Sequence, residues 1–374
     1  TQSDGFKWKY EYESDNTDYI MNIVMKDGSI ILANDKNDGT TELRRIDTDG
    51  KELWKKSVKR DFGSAYYFSN NLVRFGDEFG FTCIKTENDN VRIKLLVFEG
   101  NGNNKKTIDI EIKSGGRLIY PWVESRDENS FVYYALAEDE KKNFIAVINK
   151  DGKITEQKTI GDVAKKDGFL LGWGDAAELH FYDKGIVQTY KNIVNIFDLD
   201  GNLTNRIVIP DTAVSPLKNP ASDNSGNLYL LYNQPFQEID EYQMATHPMM
   251  FLDFDFNTST DSIKIITIDK KGESDISESI YFRLHHHQQL KYLSNNKLLV
   301  IARSQISKSE YVKIAGLIYD IKSKEIRTLI YGKRNQNLVF YDAKIFENSV
   351  LIIAKMKEND DKKLKYMVFK VSLF

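Results

Sequence analysis

The sequence predicts an all-β chain folded as a seven-bladed β-propeller, and three observations lead to this prediction. Short runs rich in Ile, Val, Tyr and Phe alternate with turns rich in Asn, Asp and Gly. One type of turn recurs at near-constant spacing, and a second type occurs once in each interval. No segment carries a sustained helical period with capping residues.

The recurring turn follows a strand that ends in an acidic or small polar residue, and it leads into a more polar strand. It ends at Gly50, Gly100, Gly152, Gly201, Gly272 and Ser323. Four of the five intervals are 49 to 52 residues long, and the interval from Gly201 to Gly272 is 71. A period of about fifty residues with four short strands per unit is typical of propeller blades.

The second turn lies between the first two strands of each unit and occurs seven times, the last at Glu347-Asn348. Only six of the later turns exist, so the last unit lacks its fourth strand. Residues 6–12 alternate aromatic and charged side chains, as an outer strand does. We therefore expect this N-terminal strand to complete the last blade and close the ring, in a single domain over 1–374.

Composition excludes several classes of protein. The 52 Lys and Arg balance 55 Asp and Glu in a chain of 374 residues, which argues against a nucleic-acid partner. Cys83 is the only cysteine, so no internal disulfide can form. No apolar run reaches the roughly 18 residues that span a bilayer.

The polar start at Thr1 favours an exported protein, periplasmic or a cell-surface lipoprotein of a bacterium, with a lipid anchor upstream of residue 1.

Two short segments resemble known propeller families. Residues 45–54, Arg-Ile-Asp-Thr-Asp-Gly-Lys-Glu-Leu-Trp, resemble the turn between the third and fourth strands of quinoprotein-like repeats. Residues 223–229, Asp-Asn-Ser-Gly-Asn-Leu-Tyr, look like the first hairpin of NHL-type and gluconolactonase-like blades. Each segment covers about ten residues or fewer, so the resemblance implies a propeller and carries no activity.

Resemblance to propellers also implies that the loops between blades surround the ligand-binding end of the central channel. The segments assigned to these loops are rich in aromatic residues, which anchor sugar rings, peptides and proteins. The candidate ligand-binding residues are Tyr66, Tyr67, Trp122, Trp173, His286 and Tyr341. They predict a non-catalytic propeller that binds a glycan, a peptide or a partner protein.

Two further features indicate an alternative function that depends on a bound metal. They are an acidic insertion in blade five, at about 233–261, and a run of three histidines. His285 and His287 point the same way in an extended chain and could bind a divalent cation together with Asp253 or Asp255. A metal-dependent lyase or hydrolase is therefore the alternative function, and a structural scaffold is the third. No other cofactor is expected, because no phosphate-binding loop or catalytic serine motif occurs.

Overall fold

The structure, a computed structural model, describes residues 6–14, 20–36, 38–60, 72–137, 142–160, 178–182, 184–190, 193–208, 220–233, 260–277, 280–284, 289–304, 313–331, 338–347, 349–356 and 364–372. These residues form 29 strands and no helix. All pairings recorded between neighbouring strands are antiparallel, and the strands form seven sheets. The chain is a seven-bladed β-propeller, as the sequence predicted.

The first four blades each take four consecutive strands, given from the innermost outwards. Blade one contains β2 (Ile20–Val24), β3 (Ile30–Asp35), β4 (Thr40–Ile46) and β5 (Glu52–Lys59). Blade two contains β6 (Leu72–Phe75), β7 (Glu78–Thr86), β8 (Asn90–Phe98) and β9 (Asn104–Lys113). Blade three contains β10 (Leu118–Ser125), β11 (Ser130–Ala137), β12 (Lys142–Asn149) and β13 (Ile154–Ile160). Blade four contains β14 (Glu178–Tyr182), β15 (Gly185–Tyr190), β16 (Ile193–Phe197) and β17 (Leu203–Val208).

The last three blades depart from this regular pattern in two places. Blade five contains β18 (Ala221–Ser222), β19 (Leu228–Asn233), β20 (Thr260–Ile268), β21 (Ser274–Ile276) and β22 (Ile280–Leu284). Blade six contains β23 (Gln289–Leu293), β24 (Lys297–Ser304), β25 (Lys313–Asp320) and β26 (Ile326–Tyr331). Blade seven contains β27 (Leu338–Phe346), β28 (Ser349–Met356) and β29 (Leu364–Ser372), and its fourth strand is β1 (Phe6–Ser14).

The N-terminal strand pairs with the last strand of the chain. Phe6 lies opposite Val371 and Ser14 lies opposite Leu364 in an antiparallel ladder with one irregularity after Phe6. The ring of Tyr12 stacks on that of Tyr366 with centroids 5.5 Å apart. β1 therefore occupies the fourth position of blade seven, which is the pairing that the missing strand predicted.

A buried charge cluster fixes β1 against blade one. The guanidinium of Arg44 in β4 lies 4.5 Å from the ring centroid of Tyr12 and donates hydrogen bonds to Glu42, Glu52 and the hydroxyl of Tyr10. Burial opposes ionisation of Glu42, but hydrogen bonds from Lys36, Lys55 and Arg44 outweigh it and lower the pKa of Glu42 to about 2. The pairing of these buried charges compensates for their loss of hydration.

The repeated turn is confirmed, with a correction in blade six, where Lys324 and not Ser323 has positive φ, and another in blade two. In blade two the residue with positive φ is Gly102, not Gly100, because Glu99 begins the turn and Gly102 donates its N–H to the Glu99 carbonyl over 2.8 Å. Gly102 has φ +81°, close to the +84° of Gly50 and the +82° of Gly152. The two intervals around Gly102 are then 52 and 50 residues in place of 50 and 52, so the correction leaves the regularity of the repeat unchanged.

Blade five carries both predicted and unpredicted features. Its long interval falls between β19 and β20, which flank the expected insertion at 233–261, and residues 234–259 lie outside the described part. Its outer edge is divided between two short strands, β21 and β22, which both pair with β20. Ser277 lies between them, donates its N–H to the Ile265 carbonyl and accepts the Ile265 N–H on its hydroxyl, both over 2.9 Å.

The described residues fall into two compact units. One consists mainly of Lys165–Ile345 and the other of Phe6–Ala164 with Phe346–Ile352 and Glu358–Phe374. In the first unit the apolar clusters join blade four to blade five and blade five to blade six. In the second unit they join blade one to blade two and blade two to blade three. The core of each unit thus lies at the faces between neighbouring blades, where burial of apolar area stabilises the fold.

Candidate functional site

Most of the predicted site residues lie outside the described part of the chain. This holds for the ligand-binding candidates Tyr66, Tyr67, Trp173 and His286 and for the metal candidates His285, His287, Asp253 and Asp255. Trp122 and Tyr341 are the two candidates that fall in described strands, β10 and β27. The inter-blade loops predicted at these two positions are therefore shorter than expected, because the innermost strands extend through both residues.

Trp122 lies at an irregularity of the innermost strand of blade three. The register between β10 and β11 shifts between Ile119 and Trp122, where Pro121 lacks the N–H that a regular ladder requires. Trp122 then lies opposite Tyr134, with ring centroids 6.5 Å apart and planes tilted by 36°. Both residues are half-buried, so a paired aromatic surface remains partly accessible in blade three.

Hydrogen bonds link the innermost strands around this aromatic pair. The Ser125 hydroxyl in β10 accepts the Arg74 N–H of β6 over 2.8 Å. The Arg74 guanidinium in turn donates to the Val24 carbonyl of β2 over 3.1 Å. The inner strands of blades one, two and three are therefore fixed to one another, and Trp122 projects from a supported strand.

The other unit carries a group of polar side chains on its innermost strands that sequence reasoning did not single out. Gln289 in β23 donates from its amide to Asp342 in β27 over 2.6 Å and accepts the Ala343 N–H over 3.0 Å. The second oxygen of Asp342 lies 3.1 Å from the Lys344 ammonium. These contacts satisfy the Asp342 carboxylate and hold the inner strand of blade six to that of blade seven.

His180 in β14 belongs to the same unit. Its Nε2 is buried and has no hydrogen-bond partner in the described part of the protein. Burial, together with the positive charge of Lys291 in β23, lowers the pKa of His180 to about 4. The imidazole is therefore neutral near pH 7 and can either donate or accept one hydrogen bond at Nε2.

Within the described ranges, no three or more His, Cys, Asp and Glu side chains group in a way that could hold a metal ion. The histidine run at 285–287 is not among those ranges, and the metal-dependent alternative stays a sequence prediction. The same ranges include no helix long and apolar enough to cross a membrane.

No family model matches the chain, and no curated protein is significantly similar to it in sequence. Several solved structures are similar to it in fold. The polysaccharide lyase Uly1 has a TM-score of 0.55 at 11% identity over 95% of this chain and 90% of its own. Sqt1 from Chaetomium thermophilum has a TM-score of 0.51 at 11% identity over 94% and 83%. The Pan2 WD40 domain of Neurospora crassa has a TM-score of 0.50 at 10% identity over 93% and 88%. At such identities the likeness shows the propeller fold alone.

Proposed function

We propose that the protein is a non-catalytic binding propeller whose ligand, a glycan, stacks on Trp122 and Tyr134. The observation that carries this proposal is the half-buried aromatic pair at the irregularity in β10. A ligand with flat apolar faces gains contact area on such a pair, and partly wet Trp and Tyr side chains are common binding anchors.

Two features of the surroundings support binding at this place. β-bulges commonly redirect side chains next to ligand sites, and the bulge here coincides with Pro121. The strand is also fixed to its neighbour through Ser125 and Arg74, so that little side-chain or backbone order has to be created on binding. The exported location that the sequence predicts is part of this proposal, since it would bring the protein to extracellular glycans.

The test compares Trp122 variants in a glycan screen followed by calorimetry on the best binder. Trp122→Ala should weaken binding by about tenfold or more, because a half-buried aromatic anchor is removed, and Trp122→Phe should retain most of it. The melting temperature should change little in both variants.

Trp54 provides the matched control. It is also half-buried, but its indole N–H donates to the Gly100 carbonyl over 2.9 Å at the turn of blade two. Trp54→Phe should therefore lower stability and leave glycan affinity unchanged. If Trp122→Ala binds the glycan as tightly as the unmodified protein, or if no glycan in the screen binds, the glycan proposal is wrong.

A further inference from the structure

The outer strand of blade one has an open edge. β5 comes last in the sheet order β2-β3-β4-β5, and no other strand that the structure describes pairs with it. At the end of its ladder with β4, the Arg60 N–H donates to the Gly39 carbonyl over 3.0 Å. The register then continues without a shift from Lys59 to Trp54. This one bond therefore fixes the direction of the backbone N–H and C=O groups along β5.

Half of these groups turn away from β4. Hydrogen bonding alternates from residue to residue along an antiparallel ladder, so Lys56 and Val58 bond to β4. Thr40, opposite Lys59, agrees with this alternation because its carbonyl accepts the Lys36 N–H next to β3 over 2.8 Å. The residues whose N–H and C=O groups point to the open edge are Lys55, Ser57 and Lys59.

A groove of about 340 Å³ follows the same edge. It is lined by the four consecutive residues 56–59 of β5 and by Phe98, Gly102 and Asn104 of blade two. Successive side chains of a strand point to opposite faces, so a groove that touches all four lies along the edge of β5. Val58 and Phe98 also belong to the apolar cluster between blades one and two, which makes one side of the groove apolar.

Two lysines give this edge a positive charge. Lys56 donates to the side-chain oxygen of Asn103, a neutral group, over 3.1 Å. Neither Lys56 nor Lys59 forms an ion pair with any carboxylate in the part of the chain that the structure describes. Lys55 does not add to this charge, because it lies 3.0 Å from the Glu42 carboxylate.

The outer strands of blades two and three differ from β5 in charge. β9 contains Asp109 and Glu111 beside its lysines, and β13 pairs Glu156 with Lys158. The acidic residue of β5, Glu52, is already bonded within the charge cluster of β4. Two copies of β5 would bring like charges together, which destabilises a strand pair. The edge of β5 is therefore better suited to an acidic strand than to a second copy of itself.

We propose that the open edge of β5 binds an extended acidic segment of a partner protein, which joins blade one as a fifth strand. The outward N–H and C=O groups supply main-chain hydrogen bonds, and the groove receives an apolar side chain. The ammonium groups of Lys56 and Lys59 attract the carboxylates of the segment. Trp122 lies on a different strand of a different blade, so this inference does not rest on the proposed function.

The test measures binding of the fluorescently labelled peptide Glu-Val-Glu-Val-Glu-Val by anisotropy. One control peptide has lysine in place of every glutamate, and another is methylated on every backbone nitrogen. We expect only the unmodified acidic peptide to bind. Amide hydrogen exchange of residues 52–59 should slow when it does, because the open edge becomes hydrogen-bonded.

Ser57→Pro tests the main-chain pairing. Proline removes an N–H that points outwards and leaves the bonds between β4 and β5 in place, and edge strands tolerate it at such positions. We expect the affinity for the acidic peptide to fall by about tenfold and the melting temperature to change little. Ser57→Ala, which keeps the N–H, should bind as the unmodified protein does.

Lysine variants test the charge. Lys56→Met combined with Lys59→Met should weaken binding by about fivefold, because two exposed ion pairs with the peptide are lost. Lys158→Met, on the outer strand of blade three, should leave the affinity within about twofold.

The proposal is overturned if the acidic peptide does not bind, or if it binds equally well to Ser57→Pro. Equal binding of the lysine peptide or of the methylated peptide overturns it as well, and the methylated peptide carries the test if Ser57→Pro does not fold. A dimer in solution that Ser57→Pro dissociates would assign the edge to a second copy and exclude the acidic partner. Trp122→Ala should bind the peptide normally, so the two sites can fail separately.

Discussion

Gly102 allows a test of how the blades are held together. Its φ of +81° is a conformation that side chains other than glycine rarely adopt, and a Cβ at this position would lie 2.9 Å from Cε2 of Trp54. The atoms it would meet belong to the fused rings of the indole, which cannot bend out of the way. The indole is also fixed by its hydrogen bond to the Gly100 carbonyl. Gly102→Ala should therefore displace the Trp54 ring and break that bond.

The loss of stability expected for Gly102→Ala is the sum of three contributions. The left-handed conformation costs an alanine about 1–2 kcal/mol. Loss of the Trp54 hydrogen bond costs about 1 kcal/mol. Displacement of a packed ring adds about 1 kcal/mol or more. Gly39 has the same φ of +81°, and a Cβ there would meet no atom within 4 Å, so Gly39→Ala should show the first contribution only.

Urea-induced unfolding followed by circular dichroism measures both variants. We expect Gly102→Ala to lower the free energy of unfolding by about 3 kcal/mol and Gly39→Ala by about 1 kcal/mol. Combining Gly102→Ala with Trp54→Ala should cost less than the sum of the single changes, because the obstructing ring is gone. Equal losses for Gly39→Ala and Gly102→Ala, or strict additivity with Trp54→Ala, would refute the proposed clash.

Two further predictions concern buried polar groups. Burial, aided by Lys291, lowers the pKa of His180 from 6.5 to about 4, so the unfolded chain binds the proton more readily than the folded one. The neutral His180 therefore contributes its full share of the folding stability above about pH 6.5. That contribution falls by at most about 3 kcal/mol as the pH drops to about 4. Denaturation between pH 4 and 8 should show a shallower slope in His180→Gln, and an unchanged slope would contradict the assignment. The Tyr133 hydroxyl is buried without a hydrogen-bond partner in the described part of the chain, so Tyr133→Phe should stabilise the protein by about 1 kcal/mol. Tyr229→Phe, which removes a 3.0 Å hydrogen bond to Asp223, should destabilise it by about as much, and a loss of stability in both variants would count against the argument.

The blades could be predicted from the sequence because their turns depend on local chemistry. An aspartate at the start of the turn accepts backbone N–H groups, as Asp47 does from Asp49 and Lys51 over 2.9 Å, and a glycine follows with positive φ. Such signals need no knowledge of the rest of the fold. They misplaced the turn residue in blade two, where Gly100 and Gly102 compete, and in blade six, where Lys324 and not Ser323 has positive φ.

The site could be predicted less well, because its features depend on distant residues. Trp122 was recognised by its residue type, but its strand position depends on pairing with β11, and the role of Tyr134 follows from that register. His180 and Lys291 lie more than one hundred residues apart in the sequence, and neither belongs to a motif. The lack of a hydrogen-bond partner for His180 Nε2 among the described residues is visible only once its neighbours are placed.

The pairing of β1 with β29 has a consequence for the order in which the protein is made. Lys7 contacts Ser349, which follows it by 342 residues, so the ribosome needs roughly 17–70 s to supply the partners of the first strand. During that time β1 has no strand to pair with, while the first six blades can already assemble. Blade seven is therefore the last to form. A chaperone that shields Phe6–Ser14 during translation should raise the yield of folded protein more than one that binds the finished chain.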